Sequence, residues 1–443
     1  MRVARELGVS YLWIDSLCII QDSTKDWHRE TAKISDIYAG GYCNIAAISC
    51  LDDTNTMHPK RNLEEVKGCI IKHDTNLVFS VRAHDEGYKA WNTSITESPL
   101  LERGWVFQEL HAAPRTLFFA KDQLYWQCKT QKASEGLPHE PDITTRRYKP
   151  NFTPFEYASP QFYGPNGWAE IVYDFSRCQF TFPEKDKLVA LSGITRKYGN
   201  EQNYLAGLWK PDIIFELTWR CLPSSKNTKI QPPKEYQAPS WSWVSLNQQV
   251  VYSSHVDNNM FIHQPIAELI DTNLTHVSEN LFGQVSQGVL HLHAPIITLS
   301  YHRLSKSSYT VHYNTSPSFN LPTSPSSSTS RHISLDHPVP FRPAALDEDE
   351  SPLANQTYFI PLYLTLERPT RRPKRVHGLI VEKVGGNKRE FKRKGVMTLE
   401  GRWWVEDLTK EVKKYIGVAD EDIFEGLVGE EEGGWVVFDI WVV

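Results

Sequence analysis

The chain has 443 residues, with 48 Lys and Arg against 53 Asp and Glu, a formal charge of −5 and a pI near 6.4. That length fits two or three domains, and the charge balance leaves no global electrostatic footprint for nucleic acid or an anionic membrane. No run of 18 apolar residues occurs, so no membrane span is expected, and a cytoplasmic protein is the simplest expectation.

Residues 2–7 read as the end of a helix, with Gly8 as its C-cap. Tyr11 to Ile14 is a short apolar run of aromatic and β-branched residues, which predicts a strand buried on both faces of a parallel sheet. It ends at Asp15, where the crevice beyond a strand's carboxyl end would bind ligands. Asp22 and Ser23 offer N-cap oxygens for a helix running from Thr24 to Tyr38. Trp27, Ile34 and Tyr38 share one face of that helix, and Glu30 lies between them. A carboxylate on an apolar face is desolvated, paired or functional. Gly40-Gly41 ends the helix, and Cys43 to Ser49 predicts a second buried strand. Helix and strand alternating in this way imply right-handed crossovers and a parallel sheet.

From Leu51 to Ser98 the pattern is weak, with a strand expected only around Leu77 to Val81. Arg103 to Ala112 reads as a short helix carrying Trp105 and Glu109 on one face. Thr116 to Ala120 and Gln123 to Cys128 flank Lys121-Asp122, which predicts a hairpin. Residues 131–165 read as a linker or wrapping loop. Helical patterns over 168–175, 183–198 and 204–221 predict a helical extension spanning 166–245. It ends in Pro239-Ser-Trp-Ser-Trp243, whose tryptophans alternate like a strand and read as core.

Beyond it, strand-like runs at Val250-Val-Tyr, Gly288 to His293, Tyr358 to Leu364, Val376 to Val381 and Gly434 to Val442 predict a β-rich domain over 246–443. A Ser/Pro/Thr-rich stretch predicts disorder over 315–335. Seven cysteines (18, 43, 50, 69, 128, 178 and 221) include no C-x-x-C pair, so neither zinc nor redox spacing is present, and an odd count argues against a secreted disulfide framework. Cys18 reads as a buried apolar thiol. The basic clusters at 371–375 and 388–394 are offset by acidic runs at 347–350 and 430–432, so solvated faces are favoured over nucleic-acid contacts. GxGxxG, P-loop, H-E-x-x-H and G-x-S-x-G motifs are absent.

Several motifs occur together and in order. WIDSLCIIQDSTKDWHRE (13–30) and ISDIY (34–38) precede RGWVFQE (103–109), PRTL (114–117) and QLYWQC (123–128). This set resembles the heterokaryon incompatibility (HET) domain of filamentous fungi. DKLVALSG (186–193) and PSWSW (239–243) resemble the extension that many such proteins carry. The family's opening strand pattern, A-L-S-Y-x-W-G, has no counterpart, so residues 1–130 are expected to form an N-terminally truncated HET-like α/β domain.

The resemblance implies a Toll/interleukin-1 receptor (TIR)- or flavodoxin-like parallel sheet at the N-terminus, and a role in non-self recognition and programmed cell death. Three mechanisms follow from it: an interaction module engaging protein partners or itself, an NAD hydrolase, and an inert shortened copy. Some TIR domains cleave NAD with a glutamate in a Trp-x-x-Glu pattern. Trp27-His-Arg-Glu30 has that spacing, and Trp105-Val-Phe-Gln-Glu109 is one residue longer. Glu109 and Glu30 are therefore the catalytic candidates, with Asp15, Arg103, Trp105 and Trp27 as ligand-binding candidates and NAD as a substrate. No cofactor and no metal are implied. A carboxylate in a partly dry cleft could stabilise the cationic ribose as nicotinamide leaves. Plainer roles compete: Glu30 can pair with Arg29 or Lys33, Glu109 with Arg103 or Arg115, and Asp15 can cap a helix or turn.

Overall fold

A computed structural model describes residues 2–50, 57, 69–73, 77–81, 90–136, 138, 165–222, 233–252, 260–305, 308–313, 332–335, 357–370, 372–384, 390–400 and 437–443. The chain forms two compact units, Met1–Asn200 and Glu201–Val443.

The first unit opens with α1 (Arg2–Glu6), closed by Gly8 at φ +68°, with Val9 N–H bonded to Ala4 O and Gly8 N–H to Arg5 O. This is the paired hydrogen-bond pattern of a glycine-terminated helix. The segment at 11–14 does not form the expected strand. Ile14 has extended dihedrals, but the run is unpaired and leads directly into α2 (Asp15–Cys18). Apolar, β-branched sequence predisposes to a strand, but only a neighbour's hydrogen bonds make one. Asp15 therefore begins a short helix and does not sit at the end of a central strand.

The single helix expected over 24–38 is two helices, α3 (Thr24–Thr31) and α4 (Ile34–Gly40). Ser23 caps α3 by accepting from Asp26 N–H at 3.2 Å. At its end the Thr31 hydroxyl donates to Trp27 O at 2.7 Å, a competing bond that favours bending. The break re-aims α4 so that Ile34 and Ser35 are buried.

A strand follows, β1 (Asn44–Ala46), then a two-stranded ribbon of β2 (Cys69–His73) and β3 (Leu77–Val81). A π-helical turn (Asn92–Thr96) and a 3-10 turn (Pro99–Glu102) lead into α5 (Gly104–Ala112). The hairpin of β4 (Arg115–Phe119) and β5 (Leu124–Cys128) forms as its pattern predicts, and β6 (Lys132–Ser134) adds to it. These strands make a mixed sheet in the order β1-β4-β5-β6. Its one parallel pairing is β1 with β4, register Ile45↔Leu117, and the other two pairings are antiparallel. The unit is thus mixed α/β. Of the expected linker, 132–134 is a strand and 139–164 lies outside the described residues. Trp91 anchors the sheet core edge-on to Phe118 and Tyr125, at 5.8 and 5.7 Å.

Two helices follow, α6 (Pro165–Ser176) and α7 (Pro183–Tyr198). The inner face of α7 is buried from Ala190 to Thr195, and it packs on both α4 and α5. At Gly193 its backbone comes so close that a Cβ would lie 2.1 Å from the Gln108 amide and 2.3 Å from Ser35 Cβ. The buried Gln108 amide, turned to suit its neighbours, donates to Ala190 O (3.3 Å) and accepts from Gly193 N–H (3.0 Å). Gly104 meets a similar constraint, since a Cβ there would stand 1.8 Å from the Phe180 ring.

In the second unit the helix expected over 204–221 is replaced by short pieces. They are a β-hairpin of β7 (Tyr204–Leu205) and β8 (Leu208–Trp209), then α8 (Ile213–Glu216), then β9 (Arg220–Cys221), which pairs with β10 (Val250–Val251). The hairpin turns on Ala206 and Gly207, both at positive φ (44° and 101°), the requirement of a two-residue turn between twisted strands. The PSWSW stretch is core as expected but forms a turn and a 3-10 helix (Trp243–Ser245). It holds that hairpin: Ser242 donates to Ala206 O, and the Trp243 indole to Gly207 O at 2.7 Å. Arg393 is buried against Trp219, its guanidinium 3.6 Å from the ring centroid, and donates to the carbonyls of Leu217 and Trp219.

The β-rich region is a large sheet. Its described strands run β12 (Glu268–His276), β13 (Val285–Pro295), β20 (Val437–Val442), β19 (Glu390–Glu400), β18 (Arg372–Lys383), β17 (Thr357–Glu367), β14 (Ile297–Ser305), β15 (Ser308–Tyr313). Two more pair alongside, β11 (Phe261–Pro265) with β17 and β16 (His332–Leu335) with β19. β16 occupies the last residues of the stretch expected to be disordered, and 315–331 lies outside the described residues.

Gly193→Ala is expected to lower stability by about 1–3 kcal/mol, because the added methyl overpacks the contact with Ser35 and Gln108. Helix propensity alone predicts a gain of about 1 kcal/mol for the same change. Denaturant unfolding decides between the two signs, and a more stable variant would rule out the close approach.

Candidate functional site

Glu109 lies in the last turn of α5, half-buried, where Tyr38 of α4 donates its hydroxyl to the carboxylate. Asp15 and Arg103 are its other electrostatic neighbours. Burial is the largest influence and pushes the carboxyl from an ordinary 4.5 up to about 6. Tyr38 and Arg103 pull the other way, and Asp15 adds to the rise. The Tyr38 phenol is pushed up in turn, first by burial and then by the two carboxylates. α2, α4 and α5 thus each bring one acidic or phenolic group to the same point.

Trp105 lies one turn before Glu109 on α5 and is half-buried. Its ring stands edge-on to Trp27 of α3, with centroids 6.3 Å apart and planes at 88°. Its side chain donates to Asp186 on α7, whose carboxyl burial pushes up to about 6. Trp13 stands edge-on to Tyr38 at 5.6 Å.

Of the residues singled out from sequence, Asp15, Arg103 and Glu109 come together, and Trp27 meets Trp105. Glu30 has a different setting: it accepts from Arg29 at 2.9 Å and from Lys33 at 3.3 Å, and those cations hold its carboxyl below the ordinary range. Arg29 also pairs with buried Asp26, whose other oxygen accepts from Ile20 N–H at 2.9 Å. Asp15 is exposed and accepts from the N–H of Ser16 at 2.8 Å. Arg115 stacks on Tyr42 instead of meeting Glu109, with its guanidinium 5.0 Å from the ring centroid. Cys18 is exposed, contrary to the buried thiol expected, because α2 turns its side chains outward.

Two members of the cluster were not singled out from sequence, Tyr38 and Asp186. Both belong to motifs read there, the last residue of ISDIY and the first of DKLVALSG. Nothing in their local pattern shows that they converge on α5.

The segment carrying Asp15 is otherwise apolar and solvent-facing. Tyr11 is 93% exposed, Leu17 77% and Ile20 58%, and Leu12 and Ile14 are also exposed. Several large apolar side chains exposed within one short segment are unusual on a free domain. Among the described residues no group of three or more His, Cys, Asp and Glu is placed to hold a metal ion, and no helix is long and apolar enough to cross a membrane.

Residues 1–109 match the family model described as Heterokaryon incompatibility protein (HET). The N-terminal part of the chain is thus similar to a heterokaryon incompatibility domain. The match ends at Glu109, so it takes in α1 to α4 and all of the Asp15, Tyr38, Arg103 and Glu109 cluster. No curated protein and no solved structure matches the chain.

The sign of the Glu109 effect follows from its raised value in the fold. Stability that depends on its proton is fully present below 4.5 and is lost as pH rises through about 6. The loss amounts to about 2 kcal/mol. Glu109→Gln should therefore be more stable than the parent at pH 7.5 by about 1–2 kcal/mol, and the gap should close below pH 4.5. Urea unfolding of both proteins at several pH values measures this. A pH-independent gap would show that Glu109 titrates as an ordinary carboxyl.

Proposed function

We propose that this protein acts in fungal non-self recognition, triggering programmed cell death with its HET-like domain serving as a cytoplasmic interaction module. The observation that carries this reading is the exposed apolar run Tyr11, Leu12, Ile14, Leu17 and Ile20, within the matched residues. Burying such side chains contributes about 25 cal/mol per Å² of apolar surface, so a protein partner or a second copy gains by covering them.

A second reading, a TIR-like NAD hydrolase, is favoured by Glu109. It is a half-buried carboxyl beside an arginine, a phenol and two tryptophan-bearing helices. As a carboxylate it would stabilise the ribosyl cation formed when nicotinamide leaves, and Trp105 and Trp27 would flank the ring. Asp15 and Arg103 would bind the remaining polar groups. Glu30 is the weaker candidate, since two cations already neutralise it.

Expression in a fungal host separates these readings. Glu109→Gln is nearly isosteric and keeps an acceptor for Tyr38, but it carries no charge to oppose a developing cation. Under the interaction reading the wild type is toxic and Glu109→Gln remains toxic with NAD unchanged. Under the hydrolase reading toxicity and NAD loss disappear together while the fold survives. A folded and harmless wild type would point to an inert copy.

A further inference from the structure

We propose that His263, Thr365, His377 and Thr398 form a proton relay across the sheet of the second unit: protonation of half-buried His263 reverses the tautomer of buried His377 and turns the Thr398 hydroxyl from donor to acceptor. The four stand on neighbouring strands, β11, β17, β18 and β19 in turn. Thr365 Oγ1 lies 3.1 Å from His263 Nδ1 and 3.0 Å from His377 Nε2, and His377 Nδ1 lies 3.0 Å from Thr398 Oγ1. Three hydrogen bonds thus run in one unbroken row. Thr365 and His377 are buried within it, and His263 and Thr398 are half-buried at its ends.

A threonine hydroxyl has one proton to donate, and a neutral imidazole has one N–H. With all three bonds made, the row has only two arrangements. In the first, His263 Nδ1–H donates to Thr365, Thr365 donates to His377 Nε2, and His377 Nδ1–H donates to Thr398. In the second every bond is reversed. A cationic imidazole has an N–H on both nitrogens and can only donate, so charged His263 admits the first arrangement alone. Neutral His263 with its proton on Nε2 accepts at Nδ1, and the second arrangement follows. Leaving one buried partner unpaired is costly, so the row reverses as a whole. Burial, then His263 and Arg375, push the His377 imidazole down to about 3, and it passes the change on without becoming charged.

Packing holds the rings in place for this. His377 is stacked on Tyr363, with centroids 4.5 Å and planes 14° apart, and His263 stands edge-on to the same ring at 5.8 Å. Tyr363 is held in turn by Phe215 at 5.0 Å, its hydroxyl lies 3.4 Å from Thr218 Oγ1, and burial pushes the phenol up to about 12. On β17 and β18, Glu367 and Lys374 pair at 4.0 Å, and Lys374 also lies over the Phe261 ring of β11. Arg375, the register partner of Thr365, disfavours a charge on His377. On β19, Arg393 is turned to Trp219 and to the carbonyls of Leu217 and Trp219. α8 packs on β17 and carries Glu216, which accepts from Trp209 N–H and which burial holds well above the ordinary carboxyl range. The member of the row that titrates is His263, and imidazole is the side chain whose charge changes between about pH 5 and 8.

The relay is independent of the interaction reading of the HET-like domain. It is tested by nitrogen NMR of the full chain with isotope-labelled histidine, since the shifts of the two ring nitrogens distinguish the Nδ1–H, Nε2–H and cationic forms. His263 is assigned by its loss in His263→Gln, and His377 by its ring contacts with Tyr363. As pH falls from about 8 to 5, His377 should pass from mainly Nε2–H to mainly Nδ1–H, with its midpoint where His263 gains a proton. His263→Gln should leave His377 in one tautomer at every pH. Thr365→Val lacks the hydroxyl, so His263 should still titrate while His377 no longer responds, and Thr365→Ser should restore the response. A His377 tautomer that is unchanged in the wild type, a His263 that takes up no proton in this range, or a reversal that survives in His263→Gln or Thr365→Val would overturn the relay.

Discussion

The contact on which the first unit depends is the one at Gly193. A helix backbone bare of side chain lets Ser35 of α4 and Gln108 of α5 approach α7 together, and Gln108 adds two hydrogen bonds to the α7 backbone. β1 follows directly from α4 and β4 follows directly from α5, so fixing the two helices also fixes the ends of the two parallel strands. The same geometry brings Tyr38 within donating distance of Glu109. Fold and site thus share one constraint, set by a residue that has no side chain.

Local patterns were legible where the chain closes its own hydrogen bonds. The β4–β5 hairpin, the strand Leu77–Val81 and the helix Pro183–Tyr198 all carry their signals within a few residues: alternation with a polar turn, β-branched residues, or proline at a helix start. The run at 11–14 carries an equally good strand pattern and is not a strand. Its state depends on whether another strand lies alongside, and no local pattern encodes that. The same reason applies at 204–221, where helical spacing is present but Ala206 and Gly207 turn the chain instead. Ser242 and Trp243, more than thirty residues away, hold that turn. The break at Thr31–Ile34 is a smaller case, since apolar spacing continues across it and only the Thr31 hydroxyl hints at it.

The second unit shows how a polar residue can be built into a core without becoming a site. Arg393 is buried, stacked on the Trp219 ring and donating to the carbonyls of Leu217 and Trp219. Glu216 is buried as well and accepts from Trp209 N–H at 2.6 Å, and burial holds its carboxyl well above the ordinary range. His377 stacks on Tyr363, with centroids 4.5 Å apart, and its two nitrogens meet Thr365 and Thr398 at 3.0 Å. Arg393 and Glu216 brace irregular segments between strands, while His377 links β18 to β17 and β19, each hydrogen-bonded as buried polar groups in cores usually are.

Glu30 and Glu109 make the converse point. In sequence both stand a few residues after a tryptophan on a helical face, and nothing local separates them. In the structure one, half-buried, is paired with Arg29 and Lys33, which lower its carboxyl range. The other is turned inward by the packing of α5 on α4 and α7, and burial raises it despite a phenol donor and an arginine. The difference comes from the balance at each: two cations outweigh desolvation at Glu30, and desolvation outweighs a phenol and an arginine at Glu109, which the motif does not contain. Which of the two carboxyls is raised is therefore decided by helix packing and by the cations at hand, more than by the spacing of the motif.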